Sequence, residues 1–171
     1  ERIEGTLMND AAIYAGKSEN VIIRDTLTYG NVIGVELENT VNGEVYNNVA
    51  HDNTIGIFID LLPQLPSKVS MYTKVHDNLV ENNNGANFGK SGTAVSLIPP
   101  GTGMLILAAD HVEVYNNTIR GNKTGGLAVF NLTIGFSSEE IDVGPNPEHN
   151  YAHDNIYENN GYDADSFVKN M

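Results

Sequence analysis

Val45-Tyr46-Asn47-Asn48-Val49-Ala50-His51-Asp52-Asn53 decides the fold, because its parts recur along the chain. Ile23-Arg24-Asp25-Thr26-Leu27 precedes it. Val75-His76-Asp77-Asn78-Leu79, Val114-Tyr115-Asn116-Asn117-Thr118 and Ala152-His153-Asp154-Asn155-Ile156 follow it. One column therefore runs Thr26, Asn48, Asn78, Asn117, Asn155. A second, five residues on, runs Asn31, Asn53, Asn83, Asn122, Asn160. The columns step together by 22, 30, 39 and 38 residues, so the basal unit is 22 residues and the excess is insertion. A repeat of this size means stacked supersecondary units.

Each unit holds three short apolar stretches separated by polar corners. Gly34-Val35-Glu36-Leu37-Glu38 and Gly43-Glu44-Val45-Tyr46 alternate, which is a strand signal. No stretch shows the apolar spacing of an amphipathic helix. Strands this short, with no helix between them, predict a coil in which each strand pairs with its equivalent one turn away. Asparagine suits the corners, because it tolerates left-handed backbone and bonds nearby backbone groups. Stacked at ~4.8 Å, identical amides also bond along a ladder. Two columns are expected inward: Ile23/Val45/Val75/Val114/Ala152 and Leu27/Val49/Leu79/Thr118/Ile156. The strand after the second corner opens with Gly34, Gly56, Gly103 and Gly126, with Ala12 in that place in the first copy. The fold class expected is all-β: a right-handed parallel β-helix of about five coils with three loop insertions, one domain over residues 1–171.

On these repeats the chain resembles the right-handed parallel β-helix repeat proteins, the superfamily that includes pectate lyases and alginate epimerases. Ala11–Asn53 with Thr54-Ile55-Gly56-Ile57-Phe58, Ile98-Pro99-Pro100-Gly101-Thr102-Gly103-Met104, and Val112-Glu113-Val114-Tyr115-Asn116-Asn117 look more narrowly like a family of bacterial exported β-helix repeat proteins without an established activity. The resemblance covers about residues 10 to 165. It implies the fold and a secreted, periplasmic or cell-surface setting, and it leaves function open, because one fold hosts many functions.

The chain has 171 residues, 9 basic against 22 acidic, and a net charge of −13. That argues against nucleic acid as a partner. No apolar run is long enough to insert in a membrane as a helix. Cysteine is absent, which removes disulfides and thiolate metal sites. A β-helix needs its open ends capped, and neither terminus carries an amphipathic capping helix. The chain is accordingly read as a segment of a longer β-helix protein, or as one that stacks end to end on copies of itself. Arg2-Ile3-Glu4-Gly5 reads as the end of a preceding coil.

Insertions fall at about 61–72, 84–101 and 131–149. They either bind a ligand or cover the outside of neighbouring strands. Leu105 and Leu107 should point outward, which calls for cover. On the same outward face stand Glu36 and Glu38, then Phe58 and Asp60, with Glu38 beside Asp60 at roughly 5 Å. Carboxylates that close share a proton, bind Ca²⁺, act as acid and nucleophile on a glycosidic bond, or simply form a solvated acidic face. Glu36, Glu38 and Asp60 are thus the catalytic candidates, and Glu38 with Asp60 the candidate Ca²⁺ ligands. No other cofactor is indicated. Tyr14 and Phe58, flanking Glu36, are candidate sugar-stacking surfaces. Tyr46 and His76 are candidate ligand contacts in an outward column Arg24/Tyr46/His76/Tyr115/His153. His76 and His153 are two coils apart, roughly 10 Å, too far to share one metal.

Two functions remain. The first is a non-catalytic glycan- or surface-binding scaffold with polysaccharide as partner. The alternative is a polysaccharide-active lyase, epimerase or glycoside hydrolase. A lyase setting is missing: Asp110-His111 opens a repeat strand, Gly-His-Gly does not occur, and Arg24 and Arg120 lie on different sides of the coil.

Overall fold

A computed structural model describes the backbone of Arg2–Glu4 and all of residues 10–171. The strands, in chain order, are β1 (Arg2–Glu4), β2 (Ala11–Gly16), β3 (Ile22–Arg24), β4 (Leu27–Tyr29), β5 (Ile33–Glu38), β6 (Glu44–Tyr46), β7 (Val49–His51) and β8 (Ile55–Asp60). They continue with β9 (Lys74–His76), β10 (Leu79–Glu81), β11 (Thr102–Leu107), β12 (Glu113–Tyr115), β13 (Thr118–Arg120), β14 (Gly125–Phe130), β15 (Tyr151–His153) and β16 (Ile156–Glu158). Every third strand pairs, always in parallel, giving sheets β2-β5-β8-β11-β14, β3-β6-β9-β12-β15 and β1-β4-β7-β10-β13-β16. This is a parallel β-helix of five coils. Arg2–Glu4 pairs with Leu27–Tyr29, as the end of a preceding coil should; Gly5 lies outside the described residues.

The two asparagine columns are ladders. Asn48, Asn78 and Asn117 donate their side-chain amides to the Oδ1 of Asn78, Asn117 and Asn155 at 3.0, 2.9 and 2.9 Å. Asn31, Asn53, Asn83 and Asn122 do the same to Asn53, Asn83, Asn122 and Asn160 at 3.3, 3.0, 3.3 and 3.0 Å. Rung amides also reach backward, Asn78 to the Val45 carbonyl and Asn83 to that of Ala50. The left-handed corner itself falls one residue earlier, at Asp25, Asn47, Asp77, Asn116 and Asp154. Each pair divides the labour: the first residue bends the chain and the second bonds along the stack.

That division corrects one expected column. Ile23, Val45, Val75 and Val114 are buried in the interior cluster, but Ala152 in the last coil is exposed. The second inward column is Thr28/Ala50/Val80/Ile119, not Leu27/Val49/Leu79/Thr118, which is half-exposed. The ladder asparagine itself points inward and takes a turn in the alternation, shifting the register by one. In the last coil, Ile156 and Tyr157 are exposed, and the chain closes with α1 (Ser166–Lys169).

A second apolar cluster lies outside the coil, on the outer face of the sheet containing β8 and β11. Phe58, Leu105 and Leu107 pack there against Leu61, Ile98 and Leu132. The insertions supply that cover. Those at 61–72 and 131–149 meet across the coil between them, where Gln64 N–H donates to Asp142 at 2.8 Å and Lys68 pairs with the same carboxylate. Placing Leu105 and Leu107 under cover removes apolar area from water, which offsets the ordering of these loops.

Candidate functional site

The acidic group sits where this cover stops. Along β5, Val35 and Leu37 face the interior, so Glu36 and Glu38 face out; along β8, Ile57 and Ile59 face in, so Phe58 and Asp60 face out. The register sets Tyr14 beside Glu36 beside Phe58, and Gly16 beside Glu38 beside Asp60. Toward β11 the same rows become Leu105 and Leu107. Three carboxylates are thereby brought together: Glu36, Glu38 and Asp60 each offer an oxygen within 4.8 Å of the others.

This is not a solvated acidic face. Asp60 is 0% exposed and Glu36 5%. Among the described residues, neither carboxyl oxygen of Asp60 has a hydrogen-bond partner. Burial pushes the Glu36 carboxyl up to about 8, with Glu38 and Asp10 adding repulsion. Burial likewise raises the Asp60 carboxyl well above its ordinary range, followed by the fields of Glu36 and Glu38. Charges taken from water unpaired are driven toward the neutral form, which is the direction in which both carboxyls are shifted.

Glu38 is provided for differently. It accepts a hydrogen bond from the Tyr14 hydroxyl at 2.6 Å and is paired with the Lys17 ammonium. Lys17 also donates to the Tyr14 oxygen at 2.8 Å. Hydrogen bonding to Glu38 raises the ammonium's pKa above its ordinary value. Burial, then the bond to Glu38, raise that of Tyr14. Gly16 makes this possible, because a Cβ there would stand 1.9 Å from the Tyr14 hydroxyl oxygen. Lys17 takes left-handed backbone, φ 54°, at the end of β2, and that turn aims it back over the sheet.

Above the group opens a cleft of about 500 Å³ lined by Asp10, Ala11, Tyr14, Glu36, Glu38, Phe58, Leu62, Ala94 and Val95. Tyr14 is 50% exposed at its edge. Phe58 is no open platform: it is 5% exposed and forms the cleft wall beneath Leu62 and Ala94. Its burial follows from the insertions, whose course no short-range pattern reveals. Gly16, Lys17 and Asp10 escape the sequence reading. The available signal is Lys17 itself, one of nine basic residues, placed one position beyond the strand that carries Tyr14.

Tyr46 and His76 lie on another sheet, away from the cleft. Their rings stack at 5.1 Å, and the stack continues through Tyr115 at 4.7 Å to His153 at 5.3 Å. Both faces of the His76 ring are covered, by Tyr46 and Tyr115, so the ring surface a sugar would use is already occupied. Each histidine also holds the following aspartate: His51 to Asp52, His76 to Asp77 and His153 to Asp154 at 2.7–2.8 Å. The repeated His-Asp-Asn tripeptide is corner chemistry.

Calcium takes six to eight oxygens. The three carboxylates offer up to six, and those of Asp60 have no partner among the described residues, so the donor type fits. Lys17 already occupies Glu38 on one side. Among the described residues no helix is long and apolar enough to cross a membrane. No known protein family, curated protein or solved structure matches the chain.

Proposed function

We propose that the chain is a non-catalytic glycan-binding β-helix that holds a short stretch of polysaccharide in the cleft over Tyr14, Glu36 and Glu38. The observation that carries this is the cleft: about 500 Å³, bordered by a half-exposed tyrosine ring and floored by acceptors fixed on rigid strands. Sugar sites combine an aromatic surface with a few fixed polar groups, and strands hold such groups more precisely than loops do. The bacterial exported setting is part of the same proposal and rests on the resemblance of the repeats. Calcium on Glu38 and Asp60 is a separate question that the same experiment answers.

A specific observation favours polysaccharide cleavage as the second reading. Burial pushes the Glu36 carboxyl up to about 8, whereas Glu38 accepts hydrogen bonds from Tyr14 and Lys17. Two neighbouring carboxyl groups in unlike environments are the pattern of an acid and a nucleophile, and carboxyl oxygens within 4.8 Å of one another belong with retaining rather than inverting hydrolysis.

The experiment is a panel of neutral, acidic and aminated polysaccharides with and without Ca²⁺, read by affinity electrophoresis and by release of new reducing ends. Binding without product, lost in Tyr14→Ala, supports the scaffold reading. Product lost in both Glu36→Gln and Glu38→Gln replaces it with the enzyme. No interaction with any polymer removes both.

A further inference from the structure

The cluster has more acceptors than a neutral sugar uses. Glu36, Glu38, Asp60 and Asp10 act on one another at this site, and among the described residues Lys17 is the cation that meets them. Asp60 is completely buried, and among the described residues neither of its oxygens has a partner, which a buried carboxyl group does not sustain cheaply. Its oxygens lie within 4.8 Å of ligating oxygens of Glu36 and Glu38. A small cation bearing several donors completes such a set.

Two observations say which cation. The cluster already accepts an ammonium, because Lys17 bonds both Glu38 and the Tyr14 oxygen. A further ammonium brings three donors to the remaining acceptors and meets Lys17 with one charge, whereas a bare dication would meet it with two. The cleft is also far larger than a metal ion needs, and Tyr14 and Phe58 line it, which fits a ligand with a carbon skeleton.

We infer that the glycan held in this cleft carries protonated amines, as a glucosamine oligomer does, and that one ammonium is bound by Glu36 and Glu38 with Asp60 behind them. This rests on the glycan reading above and narrows it to one substrate class. Charge complementarity runs the same way at long range, since the chain carries a net −13 and attracts polycations at low salt. Glu36, whose carboxyl is pushed up to about 8 by burial, must give up part of its proton when the ammonium arrives. Binding therefore releases protons, and a neutral glycan's binding does not.

The test is isothermal titration calorimetry of the full chain at pH 6 with a glucosamine tetramer, its fully N-acetylated form, a neutral β-glucan oligomer, and CaCl₂ alone. Repeating the amine titration in buffers of different ionisation enthalpy counts released protons. The amine form is expected to bind about tenfold or more tightly than the acetylated form, the loss expected for one charge-assisted hydrogen bond. That preference should fall with added salt, disappear in Glu36→Gln and Glu38→Gln, and grow in Lys17→Ala, whose fold is checked by its melting curve. Equal affinity for both forms overturns the inference and leaves glycan binding standing. So does binding of the neutral oligomer only. Binding of Ca²⁺ that excludes the amine overturns it in favour of a metal site. Silence toward every oligomer defeats the inference and the glycan reading together.

Discussion

Asn78 donates one amide hydrogen to Asn117 Oδ1 at 2.9 Å, and its backbone N–H reaches the same oxygen at 3.0 Å. One side-chain oxygen thus satisfies two donors of the coil before it, while the amide's other hydrogen closes the Val45 carbonyl. Asn78→Ala would remove the acceptor of the Asn48 backbone N–H and of one Asn48 amide hydrogen, and the side-chain bond to Val45 O, at once. Each buried unpaired group costs about 1–3 kcal/mol, with some relief from relaxation. The expected loss is ~3 kcal/mol, or roughly 6–12 °C in melting temperature for a chain of this size. Denaturant titration measures it, and a loss under about 0.5 kcal/mol would mean the ladder is a consequence of stacking and not a cause.

The glycine column makes a paired prediction. A Cβ on Gly56 would meet Val80 Cγ1 at 2.5 Å and the Gly103 carbonyl oxygen at 2.7 Å, both atoms of the packed coil. A Cβ on Gly125 would meet nothing within 4 Å among the described residues. Gly56→Ala is expected to destabilise by about 1–3 kcal/mol, as overpacking does, and Gly125→Ala by close to nothing. Melting curves of the two variants should separate clearly. Equal curves would show that neighbouring coils yield where the packing says they cannot.

These two cases mark what is legible in the sequence. Ladder and glycine columns repeat a local chemical need in every coil, so periodicity exposes them. The pairing of Glu38 with Asp60 follows from the same periodicity. Their burial does not, because it depends on loops at 61–72, 84–101 and 131–149 that occur once each and have no period. Lys17 escapes for a related reason: its reach to Glu38 comes from a single left-handed turn. The second inward column differs by one residue from the expectation because Val49 is apolar and Asn48 is not, and polarity alone points to exposure. Asn48 is buried because ladder and backbone satisfy its polar atoms.

The Tyr/His stack gives a prediction that can be read without unfolding the protein. His153 Nδ1 contacts Asp154 at 2.8 Å and Nε2 contacts Glu113 at 3.3 Å. The bond to Asp154 is the largest cause raising its pKa, and the bond to Glu113 adds to it. Asp154→Asn should therefore lower the His153 pKa more than Glu113→Gln does. Imidazole proton resonances followed by NMR across the histidine titration range resolve the order. A larger drop in Glu113→Gln would reverse the assignment of the dominant partner.

Glu36 sets the pH dependence of the fold. Its folded pKa, about 8, lies above the ordinary 4.5, so between these values the native state binds more protons than the unfolded chain. Unfolding free energy then falls as pH rises through that window: the contribution is whole below 4.5 and lost by the time pH passes 8. A difference of one pKa unit between the folded and unfolded states corresponds to about 1.36 kcal/mol, which limits the loss to about 5 kcal/mol at most. Asp60, raised by its burial, pushes in the same direction. The melting temperature should drop between about pH 5 and about pH 8.5, and Glu36→Gln should recover much of that drop at the alkaline end while changing little at the acid end. Exposed Glu139→Gln is the control for general charge repulsion in an acidic chain and should recover almost none. A wild-type protein that melts higher at the alkaline end, or a Glu36→Gln variant no better than Glu139→Gln, would show that the cluster is ionised in the folded state and held by a cation.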